Sequence, residues 1–296
     1  MKLVTVWVTY TLLFVDGAAV VVSNRELKAM ILKLQKDVSE LKRKEVKPMG
    51  HCTNTKCGKC QCVEDQSIPE KHYCDCRVLP AMRDCKAFYL TGNYIRGIYT
   101  VTMNGLQRVN VFCDGNGWTV IQRRIDGSTN FYRSWEQYKN GFGKLQGEFW
   151  LGNENIFFLS AQAMYPKGSE LEILMKSPRS WDITYLAFYK HFSIDSETAN
   201  YKLHVKYNHG NPGDSLTYHD NMEFSTFDRD NDKHDKKNCA REHHGAWWYN
   251  ACAKSNLNGH YDTLETGKPE TKVDWESLLY FRTQGWVEMK VTRITA

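Results

Sequence analysis

The sequence predicts an α+β fold, in which a strand-rich globular domain with short helices follows a short coiled-coil helix and a cysteine-rich linker. Most of the chain consists of short aromatic and β-branched runs separated by Gly, Asn and Asp turns, a texture typical of antiparallel strands. A heptad pattern and a cluster of cysteines precede these runs. With 42% hydrophobic and 25% charged residues, the chain of 296 residues has an ordinary composition for a folded core.

Residues 1–19 are predicted to be a secretory signal peptide. Lys2 precedes an apolar run that leads to small residues at positions 17–19. The alternative, a transmembrane anchor, requires about twenty apolar residues, and Asp16 interrupts this run. We therefore expect a secreted, extracellular protein without membrane insertion, whose even number of cysteines forms disulfides.

Residues 24–47 are predicted to form a short coiled-coil helix. Apolar side chains recur there at alternating steps of four and three, at Leu27, Ile31, Leu34, Val38 and Leu41. So short a helix is marginal in isolation, so we expect it to associate with copies of itself and give a homo-oligomer. A single amphipathic helix docked on its own domain is the alternative.

Residues 48–76 are predicted to form a cysteine-rich linker. Cys57 and Cys60, with His51 and His72 nearby, are compatible with a zinc site. An oxidising compartment favours disulfides instead, in pairings that the sequence does not distinguish. Interchain bridges would make the homo-oligomer permanently disulfide-linked. The cysteines concerned are Cys52, Cys57, Cys60, Cys62, Cys74 and Cys76.

Residues 77–296 are predicted to form the strand-rich domain. Two helices are expected: one in "STNFYRSWEQYKNGF", with Ser/Thr capping candidates at its start and its end at Gly141, and one that begins at Asn153. The net charge of +5 is modest and interspersed, so nucleic acid is not an expected partner. The predicted strands include "GIYTVTM", "WTVIQRR", "LEILMKS", "YLAFYKHF", "YKLHVKY" and "WVEMKVTRI".

Two stretches, "DGNGWTVIQRRIDGSTNFYRSWEQYKNGFGKLQGEFWLGNENI" and "WWYNACAKSNLNG", carry a resemblance to a known family. In order and spacing they resemble the fibrinogen C-terminal domain, over the chain from about Arg77 onward. Within that family, the chain looks most like the horseshoe-crab tachylectins of the ficolin type, which are oligomeric lectins that recognise acetyl groups on microbial sugars. The resemblance implies two disulfides, Cys85 with Cys113 and Cys239 with Cys252.

The acidic run "FDRDNDKHDKKNC" is a candidate calcium site. Asp228, Asp230 and Asp232 alternate as carboxylates do in calcium loops. An EF-hand is excluded, because Lys233 and Cys239 occupy the sixth and twelfth positions, where that loop needs Gly and Glu.

The family resemblance implies a different calcium geometry. One Ca²⁺ would be bound by the side chains of Asp230 and Asp232 and by main-chain carbonyls of His234 and Lys236. The alternative is a solvated turn without metal, which gains weight because Lys236 and Lys237 place positive charge near the cation.

The resemblance also implies a ligand pocket around the last cysteine of the quoted stretches. In the lectins the peptide bond before this cysteine is cis, which here is Ala251–Cys252. The N–H groups of Cys252 and Ala253 would donate to an acetyl carbonyl, and aromatic walls would accept the methyl group. The lectins commonly carry His where Ala253 stands, so one wall is lost. The wall candidates are His243, Tyr249 and Tyr280.

Neighbouring residues of the same stretch are assigned to packing. Trp247 and Trp248 are expected in the core, because tryptophans dominate buried area. Asn256 and Asn258 are expected to serve a local turn, with Gly259 supplying a backbone conformation that other residues resist.

These features predict a secreted, non-enzymatic lectin that recognises acetyl groups of sugars such as N-acetylglucosamine or N-acetylgalactosamine on microbial surfaces. It would agglutinate or opsonise in innate immunity, with a structural Ca²⁺ beside the pocket. The alternative is a protein ligand or structural partner of the fibrinogen or angiopoietin kind, with an altered sugar pocket. An enzyme is not expected, because the sequence contains neither G-x-S-x-G nor H-E-x-x-H.

Overall fold

The structure, a computed structural model, describes residues 10–15, 18–23, 57–66, 71–103, 105–160, 168–177, 180–261, 271–278 and 285–294. The chain divides into two compact units, Met1–His51 and Cys52–Ala296. In the first unit, strands β1 (Tyr10–Val15) and β2 (Ala18–Ser23) pair in antiparallel fashion. The predicted coiled coil, residues 24–47, lies outside the described residues, and the signal peptide stays a prediction.

The second unit is organised around one large sheet. Its strands, as far as the structure describes them, are β3 (Gln61–Glu64), β4 (His72–Asp75), β5 (Gly97–Met103), β6 (Gln107–Cys113), β7 (Thr119–Arg124), β8 (Phe142–Gly143), β9 (Phe149–Trp150), β10 (Ser169–Ser177), β11 (Ser180–Ile194), β12 (Leu203–Gly210) and, later in the chain, β15 (Trp286–Arg293). A separate two-stranded ladder joins β13 (Ser255–Asn256) to β14 (Asp274–Trp275).

Strand order in the large sheet is β12-β11-β10-β15-β7-β6-β5-β4-β3, with β9 pairing β7 and β8. All described pairs in this sheet are antiparallel except β4 with β5, which meet in parallel at Asp75 and Ile98. The six quoted runs lie on β5, β7, β10, β11, β12 and β15, so the strand-rich prediction is confirmed. In β10, Leu171, Ile173 and Met175 are fully buried, which reflects the two-residue period of a strand with one face on the core.

Four short α-helices accompany the described part of the sheet: α1 (Cys85–Leu90), α2 (Trp135–Asn140), α3 (Asn153–Ser160) and α4 (Cys239–Glu242). Helix α2 ends at Gly141 as expected but begins later than the capping candidates Ser128 and Thr129 suggest. Its N-cap is Ser134, which forms a reciprocal capping box with Gln137. Among the described residues, no helix is long and apolar enough to cross a membrane.

An aromatic cluster forms the core beneath the carboxy-terminal loops. The ring of Trp248 lies 4.9 Å from that of Trp247, 5.3 Å from that of Phe224 and 6.2 Å from that of Trp150, measured between centroids. All four side chains are fully buried or nearly so. Both tryptophans of the quoted pair are therefore core residues, as the sequence predicts, and they form a rigid base for the loop above them.

Four of the linker cysteines are paired with one another within the chain. Disulfides join Cys57 to Cys74 and Cys60 to Cys76, and Cys62 is also disulfide-bonded. Cys57 and Cys60 are therefore not zinc ligands. The prediction of interchain bridges finds no support in the four cysteines whose partners are described.

Candidate functional site

The three aspartates of the acidic loop have different roles, and Asp228 anchors a helix. Its Oδ1 accepts hydrogen bonds from the backbone N of Trp135, at 2.9 Å, and from Oγ1 of Thr226, at 2.7 Å. Trp135 is the first residue of α2, whose N–H groups lack intrahelical partners. Asp228 therefore ties the loop to the start of α2, consistent with its omission from the predicted calcium ligands.

Asp232 holds the loop together from inside. Its Oδ1 accepts from the backbone N of His234 at 2.8 Å, and its Oδ2 accepts from the backbone N of Cys239 at 2.7 Å. Burial raises the pKa of Asp232 to about 6, and the neighbouring Asp230 carboxyl adds to the shift. Two carboxylates this close repel one another unless a proton or a cation lies between them.

The donors in this loop suit a calcium ion. Within the described residues, no three His, Cys, Asp or Glu side chains are grouped as a metal site, so main-chain oxygens would have to complete the ligand set. The carbonyl oxygens of His234 and Lys236 accept no hydrogen bond from any described residue. Two carboxylates and two available carbonyls are the hard oxygen donors that Ca²⁺ prefers. In donor type, the residues predicted from the family resemblance suit the ion, and the calcium site stays a prediction.

One lysine of the loop, Lys237, interferes less than the sequence suggests. The Nζ of Lys237 lies 3.5 Å from Oε2 of Glu242 on α4, and both side chains are more than half exposed. Lys237 therefore has a carboxylate partner outside the acidic loop, which reduces its repulsion of a bound cation.

A disulfide and a hydrogen bond connect the acidic loop to the candidate pocket. Cys239 is bonded to Cys252, and the backbone N of Lys233 donates to the carbonyl of Asn250 at 3.1 Å. The Ala251–Cys252 peptide bond is cis. Both features implied by the family resemblance, the cis bond and the second domain disulfide, are thus present, as is the Cys85–Cys113 disulfide.

The segment at Cys252 presents backbone donors to the surface. Ala251 is exposed, and Cys252 and Ala253 are partly exposed. The N–H groups of Cys252 and Ala253 donate to no acceptor among the described residues. Adjacent N–H groups left available at the surface can bind a ligand carbonyl, because backbone donors are otherwise almost always satisfied in folded proteins.

The predicted aromatic walls are only partly realised. His243 is partly exposed, and its ring stacks on Tyr249 with centroids 5.6 Å apart and an interplanar angle of 27°. Tyr249 itself is fully buried, and its hydroxyl donates to Oδ1 of Asn256 at 2.8 Å. Burial raises the pKa of Tyr249 well above its usual value. Tyr249 therefore supports His243 from beneath and does not form an open wall. Tyr280 lies outside the described residues.

His219 is a site residue that the sequence analysis missed. It is fully buried, and its Nδ1 donates to the carbonyl of Trp248 at 2.7 Å. Its Nε2 accepts from the backbone N of Lys254 and of Ser255, each at 3.2 Å. One neutral imidazole therefore holds the chain before and after Cys252, and burial lowers its pKa to about 4. The sequence gives no signal for this role, because all three contacts are with backbone distant along the chain.

Asn256 and Asn258 lie in the predicted local turn, in which the backbone N of Gly259 donates to the carbonyl of Asn256 at 3.1 Å, and their side chains make further contacts that the sequence does not reveal. The Nδ2 of Asn256 donates to the carbonyl of His243, and that of Asn258 donates to the carbonyl of Ala246, both at 3.0 Å. The Nε2 of Gln122, on β7, donates to Oδ1 of Asn258 at 3.2 Å. Because both asparagines are almost completely buried, they act as cross-links that fix the loop on the sheet.

Gly259 is required for close packing. A Cβ at this position would lie 2.4 Å from the carbonyl oxygen of Lys272, which no side chain tolerates. The prediction that Gly259 supplies an unusual backbone conformation is wrong, since its φ is not among the positive values.

Comparison with known proteins identifies the domain. The family model described as "Fibrinogen beta and gamma chains, C-terminal globular domain" matches residues 81–294. The chain belongs to this family. Its fibrinogen-like domain contains the acidic loop and the Cys252 segment within the matched range, so both candidate sites are parts of the domain itself.

The fibrinogen-like domain has relatives of several architectures. Tenascin-R of Gallus gallus is 44% identical over 191 residues, which are 62% of this chain and 14% of that protein. Fibrinogen C domain-containing protein 1-A of Xenopus laevis is 42% identical over 205 residues, which are 66% of this chain and 43% of that protein. The chain therefore spans less than half the length of either relative.

Solved structures resemble the fibrinogen-like domain closely. The fibrinogen-like globe domain of human ANGPTL6 aligns with a TM-score of 0.68 at 34% identity, over 74% of this chain and 98% of that chain. The lamprey fibrin D-dimer, in complex with the peptide Gly-His-Arg-Pro-amide, aligns with a TM-score of 0.65 at 27% identity, over 92% of this chain and 87% of that chain. The similarity establishes the fold and leaves ligand class open.

Proposed function

We propose that this protein is an extracellular, non-enzymatic lectin that binds the acetyl groups of sugars such as N-acetylglucosamine or N-acetylgalactosamine. The observation that carries the proposal is the pair of available N–H groups at Cys252 and Ala253. The partly exposed His243 follows α4, whose first residue, Cys239, is bonded to Cys252. An acetyl group has a carbonyl that accepts hydrogen bonds and a methyl group that packs on a ring. The two neutral donors would match the carbonyl, and the imidazole face of His243 would match the methyl group.

In this proposal a Ca²⁺ ion at Asp230 and Asp232 has a structural role. When bound, it would neutralise the two carboxylates and so stabilise the loop. Asp232 accepts from the backbone N of Cys239, whose sulfur is bonded to Cys252. Order in the acidic loop is therefore transmitted to the segment that carries the acetyl-binding donors.

Multivalent binding would supply the affinity that one small site lacks. A monosaccharide making two hydrogen bonds and one ring contact is expected to bind with a Kd of about millimolar to micromolar. Several copies on one microbial surface raise the effective affinity by about a hundredfold or more. A homo-oligomer that agglutinates or opsonises microbes in innate immunity is therefore the biological role that we propose.

Affinity chromatography tests the proposal directly. We expect the full-length protein to be retained on N-acetylglucosamine resin in the presence of calcium and to be eluted by free N-acetylglucosamine or by acetate. Elution by acetate distinguishes acetyl recognition from recognition of sugar hydroxyls. Passage through the column, by a protein whose melting temperature still responds to calcium, would refute the acetyl-group assignment while leaving the calcium loop intact.

Substitution of Ala253 by His tests the missing wall. Ala253→His adds a ring next to the Cys252 and Ala253 N–H groups without removing the backbone donor, so we expect acetyl-sugar affinity to rise about threefold to tenfold. Isothermal titration with N-acetylglucosamine measures the change, and Lys254→His provides a control one position away. Equal affinities for wild type and Ala253→His would place specificity elsewhere.

A protein ligand is the second candidate function. The sugar pocket has fewer aromatic walls than the resemblance implies, because Ala253 lacks a ring and Tyr249 is fully buried. This favours a ligand other than an acetylated sugar. One structural relative, the lamprey fibrin D-dimer, is in complex with a peptide. Failure on the sugar column combined with saturable binding of a peptide or protein partner that Ala253→Trp abolishes would support this alternative.

A further inference from the structure

A second concave site lies at the opposite end of the described sheet order from β12, beside β4 and β5. It is a groove of about 400 Å³ that shares no residue with the Cys252 segment or the acidic loop. Such a volume lies within the range of small-molecule sites. The lining is mainly apolar and includes Leu79, Met82, Phe88 and Ile95, with Tyr94 and Lys59 at the edges.

One wall of the groove is held covalently. The turn that contains Gly58 and Lys59 is flanked by Cys57 and Cys60, which are bonded to Cys74 and Cys76 on and beside β4. Two disulfides thus fix a four-residue turn above the sheet edge. A Cβ at Gly58 would lie 3.5 Å from Cδ1 of Ile95, so the turn packs closely against the groove lining. The groove is therefore a preformed feature.

Two polar side chains of the lining have partners inside the protein. The Oδ1 of Asn93 accepts from the hydroxyl of Tyr99 at 2.8 Å, and Oγ1 of Thr91 donates to the carbonyl of Phe88 at 2.8 Å. These bonds leave the interior of the groove with an apolar character. The groove would therefore bury the apolar part of a ligand.

Lys59 is the charged residue of the lining, and it lacks an acidic partner among the described residues. The carboxylates on either side of lining residues 79–82 in the sequence already have basic partners. Asp75 is paired with Arg77, and Asp84 is paired with Arg293 at 2.7 Å. An unpaired ammonium at the edge of an apolar groove favours a ligand that carries one negative charge.

We propose that this groove binds an apolar carboxylate, with an acyl chain lying over Met82 and Phe88 and the carboxylate paired with Lys59. The proposal is independent of the acetyl-sugar function, because the two sites share no residue. It assigns a chemical class of ligand, a free medium-chain or long-chain carboxylic acid, to a site built by the linker disulfides.

Titration with charge-matched probes tests the chemistry. Dodecanoate and dodecylammonium, each below its micelle concentration, are titrated into the full-length protein by calorimetry. We expect dodecanoate to bind up to about fivefold more tightly than dodecylammonium, since an exposed charge pair contributes up to about 1 kcal/mol. Lys59→Gln should remove this preference, whereas Lys206→Gln, on the exposed edge strand β12, should retain it. Equal binding of both probes to the wild type would overturn the proposal.

A methyl signal locates the bound probe. With methionine methyl groups labelled by ¹³C and the Met82 signal assigned from Met82→Leu, dodecanoate should shift Met82 and leave Met289 in the core unchanged. Pro80→Glu, which places a carboxylate on an exposed lining residue, should weaken dodecanoate binding, and Val78→Glu, on an exposed residue outside the lining, is the matched control. Unshifted Met82, or binding to anionic phospholipid vesicles without binding of soluble dodecanoate, would refute the assignment.

Discussion

The linker segment, residues 57–76, and the site region, residues 219–259, face the same physical problem and stabilise themselves in different ways. Both contain described backbone outside any strand ladder, and such backbone must find other means to stay ordered. The linker relies on two disulfides within twenty residues. The site region has one disulfide and a network of buried side chains that bond to backbone, from His219, Asp232, Asn256 and Asn258.

The difference determines which chemical change each region tolerates. Covalent bracing is insensitive to pH and to most substitutions, but it fails on reduction. Bracing by buried polar side chains survives reduction in part, but it depends on the charge state and shape of each residue. We therefore expect the site region to respond most to single substitutions and to acid, and the linker to respond most to reductants.

Loss of the His219 imidazole should have the largest effect. His219→Ala leaves the carbonyl of Trp248 and the N–H groups of Lys254 and Ser255 without partners in a buried position, which costs roughly 3–5 kcal/mol of unfolding free energy. Urea denaturation measures the loss. The matched control is His204→Ala. The Nε2 of His204 contacts Asp195 at 3.0 Å, and both side chains are about a third exposed or more. Because this pair is exposed, His204→Ala should lower the free energy of unfolding by under about 0.5 kcal/mol. Similar losses for both variants would contradict the proposed role of His219 in holding the backbone on both sides of Cys252.

Acid should destabilise the fold through the same residue. The pKa of His219 is about 4 in the native state, below its unfolded value of about 6.5, so the unfolded chain takes up a proton that the native protein refuses. Its contribution is complete above pH 6.5 and declines as pH falls towards 4, by roughly 3 kcal/mol. Denaturation curves from pH 7 to pH 4 measure this slope. A variant with Gln at position 219 should show a shallower decline, and an unchanged slope would exclude His219 as its source.

Removing disulfides should distinguish the two regions. The double variant Cys239→Ala/Cys252→Ala should lower the free energy of global unfolding by about 3 kcal/mol, as expected for a loop of this length, and should weaken acetyl-sugar binding. The double variant Cys57→Ala/Cys74→Ala should leave the main transition within about 0.5 kcal/mol and instead expose residues 57–76 to limited proteolysis. Global destabilisation by the linker variant would remove the contrast between the regions.

Two aspartates of one loop give the smallest and sharpest comparison. Asp228→Ala should cost about 1 kcal/mol through the lost bond to Trp135 and should retain the rise in melting temperature on adding calcium. Asp232→Asn should lose that rise, because a carboxylate ligand is removed. Thermal melts with and without calcium measure both. A wild-type melt that EDTA leaves unchanged would argue against a bound ion.

The sequence predicts elements with strong local patterns and misses those set by distant contacts. The run "GIYTVTM" coincides with β5, Gly97–Met103, because its β-branched alternation is complete within the strand. Helix α1, six residues long and capped by Asp84, has too few turns to give a periodic signal. Ser128 and Ser134 are equally plausible caps in isolation, and only the Gln137 partner decides between them.

At the candidate site, the family resemblance places Cys252, the cis bond and the acidic loop, because these depend on a short motif. The positions of Tyr249 and His219 could not be inferred from that motif. The burial of Tyr249 follows from its hydroxyl bond to Asn256, and the role of His219 follows from a fold that brings it against the backbone more than thirty residues away. Long-range polar contacts leave no periodic pattern in a sequence.

The linker disulfides also determine how the domain responds to pulling. A protein anchored through its amino-terminal side and held by a surface-bound ligand would experience tension that enters at the linker. The Cys57–Cys74 bond spans the β3–β4 hairpin at its open end, so force passes from one cysteine to the other without crossing the hairpin. Tension that reaches Cys57 therefore does not unzip the hairpin while the bond is intact, and it passes through β4 to the sheet edge at β5.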